Sequence, residues 1–96
     1  MPTISAQVAY PIILHDMLQL PSGHLVDVIL EVHEEGVIAR LALVPDVCSD
    51  GATVAEAKAN LVKTVQDELS FLQKHRKELS ENLLKRLETL EQVLTR

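Results

Sequence analysis

Aromatic side chains are almost missing from this 96-residue chain: Tyr10 and Phe71 stand alone and there is no tryptophan. A core must therefore be built from leucine, valine and isoleucine. The stacking platforms that hold single-stranded nucleic acid are not provided for. Cys48 is the only cysteine, which excludes an internal disulfide and fits a reducing compartment. No apolar run approaches the length of a membrane span. The opening MPTISAQVAY lacks the basic and apolar regions of a signal peptide, so the expected setting is the cytoplasm. Glycine and proline are also scarce, and none occurs after Gly51. Basic residues are unevenly spread. Residues 1–57 carry Arg40 alone against Asp16, Asp27, Glu31, Glu34, Glu35, Asp46, Asp50 and Glu56, whereas residues 58–96 carry a small basic excess. With a net charge of -5 the chain is poorly suited to neutralise phosphates. An acidic face suits a basic protein, through steering of the encounter.

What is present is apolar pattern. Hydrophobic residues make up 47% of the chain, enough for one small domain with a modest core. Period-two alternation from Ile4 through Ala6, Val8, Tyr10 and Ile12 to Leu14 predicts a strand over 4–14, with Pro11 weakening its second half. His15 to Gly23 reads as a connector, with Pro21-Ser22-Gly23 as turn residues. A second strand over 25–33 places Val26, Val28, Leu30 and Val32 on one face. A third runs over 37–44. A hairpin loop at Glu35-Gly36 sets Val32 opposite Ala39, Leu30 opposite Leu41, Val28 opposite Leu43 and Glu31 opposite Arg40, each pair sharing a face.

Thr53 stands three residues before Glu56, the spacing of a capping box, and opens a helix. Val54, Ala57, Leu61, Val65, Leu69 and Leu72 form its apolar stripe; Leu79, Leu83, Leu87, Leu90 and Leu94 form a second stripe. Between them Lys74-His75-Arg76-Lys77 interrupts the apolar pattern, and Ser80 is placed to cap a new helix. One long helix and two helices both satisfy this pattern. The expected fold is α+β: a three-stranded antiparallel β-meander packed against a helix, with a long C-terminal helical region. Residues 1–78 form the β-β-β-α domain, and residues 79–96 add a leucine-rich helix to the same compact unit.

Reactive constellations are lacking. His15, Asp16, His24, Asp27 and His33 have no tight metal-ligand spacing, and Cys48 has no companion. Ser49, Asp50 and the histidines have no triad spacing. The expectation is a non-enzyme without metal or cofactor. The basic run Lys74 to Lys77 reads as a solvated helix end.

The stretch Glu34 to Leu61 resembles the HicB-like antitoxins, a family with a partial RNase H-like fold. Its members show a strand, then Leu-Pro-Gly-Cys, a short loop, Gly-Asp-Thr, and a helix with Glu-Ala and Asn-Leu. This chain matches at Gly36, Ala39, Pro45, Ser49, Gly51, Thr53, Glu56, Ala57, Asn60 and Leu61. It departs where Asp46 and Val47 replace Gly-Cys, and it shows no strand signal after the helix. The resemblance implies a protein-binding module that neutralises a small, basic, mRNA-cleaving toxin. The expected docking face is Asp27, Glu31, Glu34 and Glu35. Leu79 to Arg96 lacks the features of a DNA-binding segment, and its leucines, Leu79, Leu83, Leu87, Leu90 and Leu94, are expected to build a homo-oligomer. The alternative is a stand-alone oligomeric assembly protein of the same fold with no toxin partner.

Overall fold

The computed structural model describes residues 9–95. Among these residues four strands, β1 (Ile12–Gln19), β2 (Leu25–Val32), β3 (Val37–Leu41) and β4 (Cys48–Gly51), precede two helices, α1 (Val54–Lys74) and α2 (Glu81–Thr95). The strands form one antiparallel sheet in chain order. The helices cover one face of it. Val26, Val28, Leu30, Val37, Ala39 and Leu41 from the sheet meet Ala57, Leu61, Val65 and Leu72 of α1 in one core. The class is therefore α+β, with a sheet of four strands rather than three.

The first described strand does not match the expected span. It starts after Pro11 and takes in His15 to Gln19, which read as connector. Ile4, Ala6 and Val8 lie outside the described residues. The pattern was hidden by Asp16, which interrupts the helix-facing row Ile12, Leu14, Leu18. Lys58 of α1 reaches it, Nζ to Oδ2 at 2.6 Å, so a carboxylate is accommodated on an otherwise apolar row. The turn to β2 is as expected: Gly23 adopts φ 93° and donates its N–H to Leu20 O at 2.8 Å.

The β2–β3 hairpin turns through Glu34-Glu35, one residue earlier than expected. His33 N–H donates to Gly36 O at 2.7 Å, and Gly36 N–H returns to His33 O at 3.4 Å. Val32 consequently opposes Val37, Leu30 opposes Ala39 and Val28 opposes Leu41. Slipping by two residues keeps every side chain on its expected face, so the apolar pattern is blind to the difference. Gly36, just before β3, is needed for its neighbour rather than for the turn: a Cβ there would sit 2.9 Å from Gly51 O of β4. Its value is close approach, not a positive φ.

β3 stops at Leu41, three residues short of the expected end. A tight turn closed by Val47 N–H to Val44 O at 2.9 Å swings the chain back, and Cys48–Gly51 pairs with β3 as the fourth strand. Gly51 then brings the chain against the start of α1. Thr53 caps that helix, its Oγ1 accepting from Glu56 N–H at 3.1 Å. Glu56 reaches back to Ala52 N–H at 2.9 Å, one residue beyond the usual capping-box partner.

Of the two helical readings, the structure adopts two helices. Residues Arg76–Glu78 form a single 3₁₀ turn. Ser80 caps α2 through Leu83 N–H to Oγ at 3.3 Å, as its position predicted. The second helix belongs to the same unit, because Leu87 and Leu90 lie in the common core.

Candidate docking surface

Among the described residues, no element covers the sheet face opposite the helices. It carries Asp27 and Glu31 from β2, Ile38 and Arg40 from β3, and Cys48 and Asp50 from β4. The four expected docking acids do not act alike on this surface. Glu31 is committed to internal pairing. Arg40 Nε donates to its Oε2 at 2.6 Å, and His33 Nε2 lies 3.4 Å from its Oε1. Sequence register placed Arg40 directly opposite Glu31; in the structure the pair is diagonal, with Glu31 opposite Ile38 and Arg40 opposite Ile29. A diagonal neighbour is still within reach of a long side chain. Arg40 also donates to Pro45 O at 3.3 Å, which ties the β3–β4 turn to the sheet.

Asp27 is exposed, opposite Met17, near the start of β2. Glu34 and Glu35 are exposed at the far tip of the hairpin. Seven or eight extended residues separate them, roughly 25 Å at strand rise, with the neutralised Glu31 between. The structure thus divides the expected face. It joins Glu35 of the hairpin instead to Asp50 of β4, which opposes Ile38. His33, Glu35, Gly36, Ile38 and Asp50 line one shallow depression there. Asp50 escaped sequence reasoning because β4 carries no strand signal.

The guanidinium of Arg40, and after it His33, holds the Glu31 carboxyl below the ordinary carboxylate range. A lowered folded-state pKa means stability that is fully present above the unfolded-state value and lost as pH falls through the folded-state value. Glu31→Gln removes this dependence. Between neutral and acid pH its urea midpoint is expected to fall less than that of the wild type; parallel profiles would show that the pair contributes no acid sensitivity. Asp16 is lowered by Lys58 and by Met17 N–H, and Glu91 by Gln73 and Arg76, so they contribute the same sign.

Of the five leucines expected at a subunit interface, two are buried in the chain's own core and three are partly buried. Leu87 and Leu90 are fully buried, and Leu79, Leu83 and Leu94 pack against the same core. Ion pairs fasten the helices around them: Arg76 to Glu91 at 2.8 Å and Arg86 to Glu68 at 3.3 Å. The exposed apolar side chains occur elsewhere, chiefly on β1.

The remaining candidates stay apart. Cys48 is half-buried at the β4 start and unpaired. No group of three or more metal-binding side chains converges among the described residues. Lys74 and Lys77 are exposed at the link between the helices, beside the Phe71–His75 ring contact. No helix among the described residues is long and apolar enough to cross a membrane. Compared with protein-family models, curated proteins and solved structures, the chain finds no match.

Proposed function

We propose that this protein is a non-catalytic binding module that docks a small basic protein, in the manner of a HicB-like antitoxin neutralising an mRNA-cleaving toxin. The observation that carries the reading is the acidic end of the open sheet face, where Glu34, Glu35 and Asp50 are exposed. The resembling stretch supports it through local roles: Gly51 allows the sheet-to-helix approach, and Thr53 with Glu56 starts α1. These are roles in the fold, so the resemblance bears on architecture first and on function only through the charge.

The reading is tested with the small basic protein encoded beside the chain, or with the protein recovered by pull-down from the native host. Association is expected to slow as salt rises, because steering is screened. Glu34→Gln, Glu35→Gln and Asp50→Asn combined are expected to lower the on-rate about tenfold at low salt with an unchanged fold, within the range that steering supplies. Equal on-rates at low salt would place docking elsewhere. An acidic native partner would overturn the reading itself. The second reading, a self-assembling protein with no toxin, is favoured by one observation, the exposed apolar side chains of β1.

A further inference from the structure

Among the described residues β1 is a free edge: β2 pairs with it on one side, and it ends the strand order. Antiparallel pairing turns the N–H and C=O groups of alternate residues inward and outward. Leu20 fixes the phase, since its N–H donates to His24 O at 2.8 Å. Counting back by twos, Leu18, Asp16, Leu14 and Ile12 bond to β2, while Met17, His15 and Ile13 present their backbone groups outward. The outward N–H of Met17 is already used. It donates to Asp16 Oδ1 at 2.8 Å, and Lys58 holds the other carboxylate oxygen. Beyond the other end lies Pro11, which has no N–H. Between these two blocks the outward backbone groups of Ile13 and His15 meet no partner among the described residues and can extend the sheet. Apolar side chains flank this window on both faces: Ile12 (38% exposed) and Leu14 (44%) on the helix side, Ile13 (51%) and Met17 (43%) on the open side.

We propose that β1 is a self-association edge, at which two copies of this chain pair antiparallel about a two-fold axis through Leu14 and form one continuous sheet. The positions of the two blocks select a second copy as the occupant. About that axis Ile13 meets His15 of the second copy, and His15 meets its Ile13, so both free positions exchange backbone hydrogen bonds. Pro11, which cannot donate, falls opposite Met17, whose N–H is already satisfied. The two positions that cannot extend a ladder therefore coincide, and neither leaves an unpaired donor in the interface. An unrelated strand has no reason to carry a non-donor at that spacing. Charge agrees: His15 faces Ile13, and Asp16 faces Ile12 with its carboxylate neutralised by Lys58. The interface is isologous, so it closes at two copies rather than propagating. It would also shield the apolar side chains that this edge exposes.

The purified chain alone tests this, independently of any toxin partner. In a Cys48→Ser background, Leu14→Cys is expected to oxidise to a cross-linked species of twice 10.7 kDa. The reason is that a non-hydrogen-bonded antiparallel pair brings its Cα atoms to about 4.5 Å, within disulfide reach. Ile12→Cys, two residues off the axis, and Leu25→Cys, more exposed at 61% but on β2, are expected to cross-link far more slowly. Sedimentation should give the doubled mass for the wild type at high micromolar concentration. The monomer mass is expected for His15→Pro and for Leu14→Lys, each with an unchanged circular dichroism spectrum. A monomeric wild type would overturn the proposal. So would a dimer that survives both substitutions, or cross-linking at Ile12 or Leu25 as fast as at Leu14.

Discussion

Replacing Gly51 by alanine is expected to destabilise the fold by about 2–3 kcal/mol, the upper part of the range for forcing volume into a packed site. A Cβ at this position would lie 2.5 Å from Ala57 N and 2.8 Å from the Glu56 carbonyl carbon. Both are backbone atoms in the first turn of α1, so no side chain can rotate away. The helix must lift from the end of β4, and the contacts of Ala57 and Leu61 with the sheet loosen together. Thermal unfolding should show the loss as a fall of about 10–20 °C for a domain of this size. Gly51 does not have a positive φ, so the effect is steric and valine should be worse than alanine. A midpoint unchanged within error would mean that α1 stands further from β4 than the structure places it.

Truncating Leu87 or Leu90 to alanine is expected to cost about 3–4 kcal/mol each, as for a buried leucine whose cavity only partly collapses. Both side chains are fully buried within one chain, next to the core residues of α1 and the sheet. The loss should therefore be the same at every protein concentration. If these leucines instead formed a subunit seam, the penalty would shrink on dilution, where wild type and variant would both be monomeric. Urea unfolding at two concentrations well separated in magnitude distinguishes the two. Leu87→Glu with Leu90→Glu should abolish folding altogether, because two carboxylates would be buried without partners. That double variant consequently says nothing about assembly, whereas the alanine variants do.

Most of the apolar faces were legible because they depend on local periodicity. Val26, Val28 and Leu30 alternate cleanly, and Ala57, Leu61, Val65 and Leu72 recur at helical spacing, so their common side is set before any tertiary contact. The Pro21-Ser22-Gly23 turn and the Thr53 cap were legible for the same reason: each is a local hydrogen-bonding device. β1 was misplaced because Asp16 breaks its alternation, and the partner that permits it, Lys58, is 42 residues away. β4 was missed because Cys-Ser-Asp-Gly has no strand propensity; it is extended because β3 offers it an unpaired edge. Charge alone singles out Asp27, Glu31, Glu34 and Glu35 without ranking their exposure. The hairpin register already set Arg40 beside Glu31; the fold makes that contact a diagonal ion pair, adds His33 to it and sets Asp50 beside the hairpin tip.

The sequence by itself determined the α+β class, the buried sides of β2, β3 and α1, and the excess of acid in the first half. Each follows from side-chain type and spacing along a few neighbouring residues. The tertiary structure decided the hairpin register, because registers two residues apart present identical faces; it is closed by the paired hydrogen bonds of His33 and Gly36. It also decided where the leucines of the second helix go. An amphipathic stripe requires an apolar neighbour but does not specify whether that neighbour is the same chain or another. The link at Arg76–Glu78 turns the stripe back onto its own core. Exposed apolar side chains lie instead along β1, an edge that sequence periodicity could not single out because it marks burial and not the order of strands in a sheet.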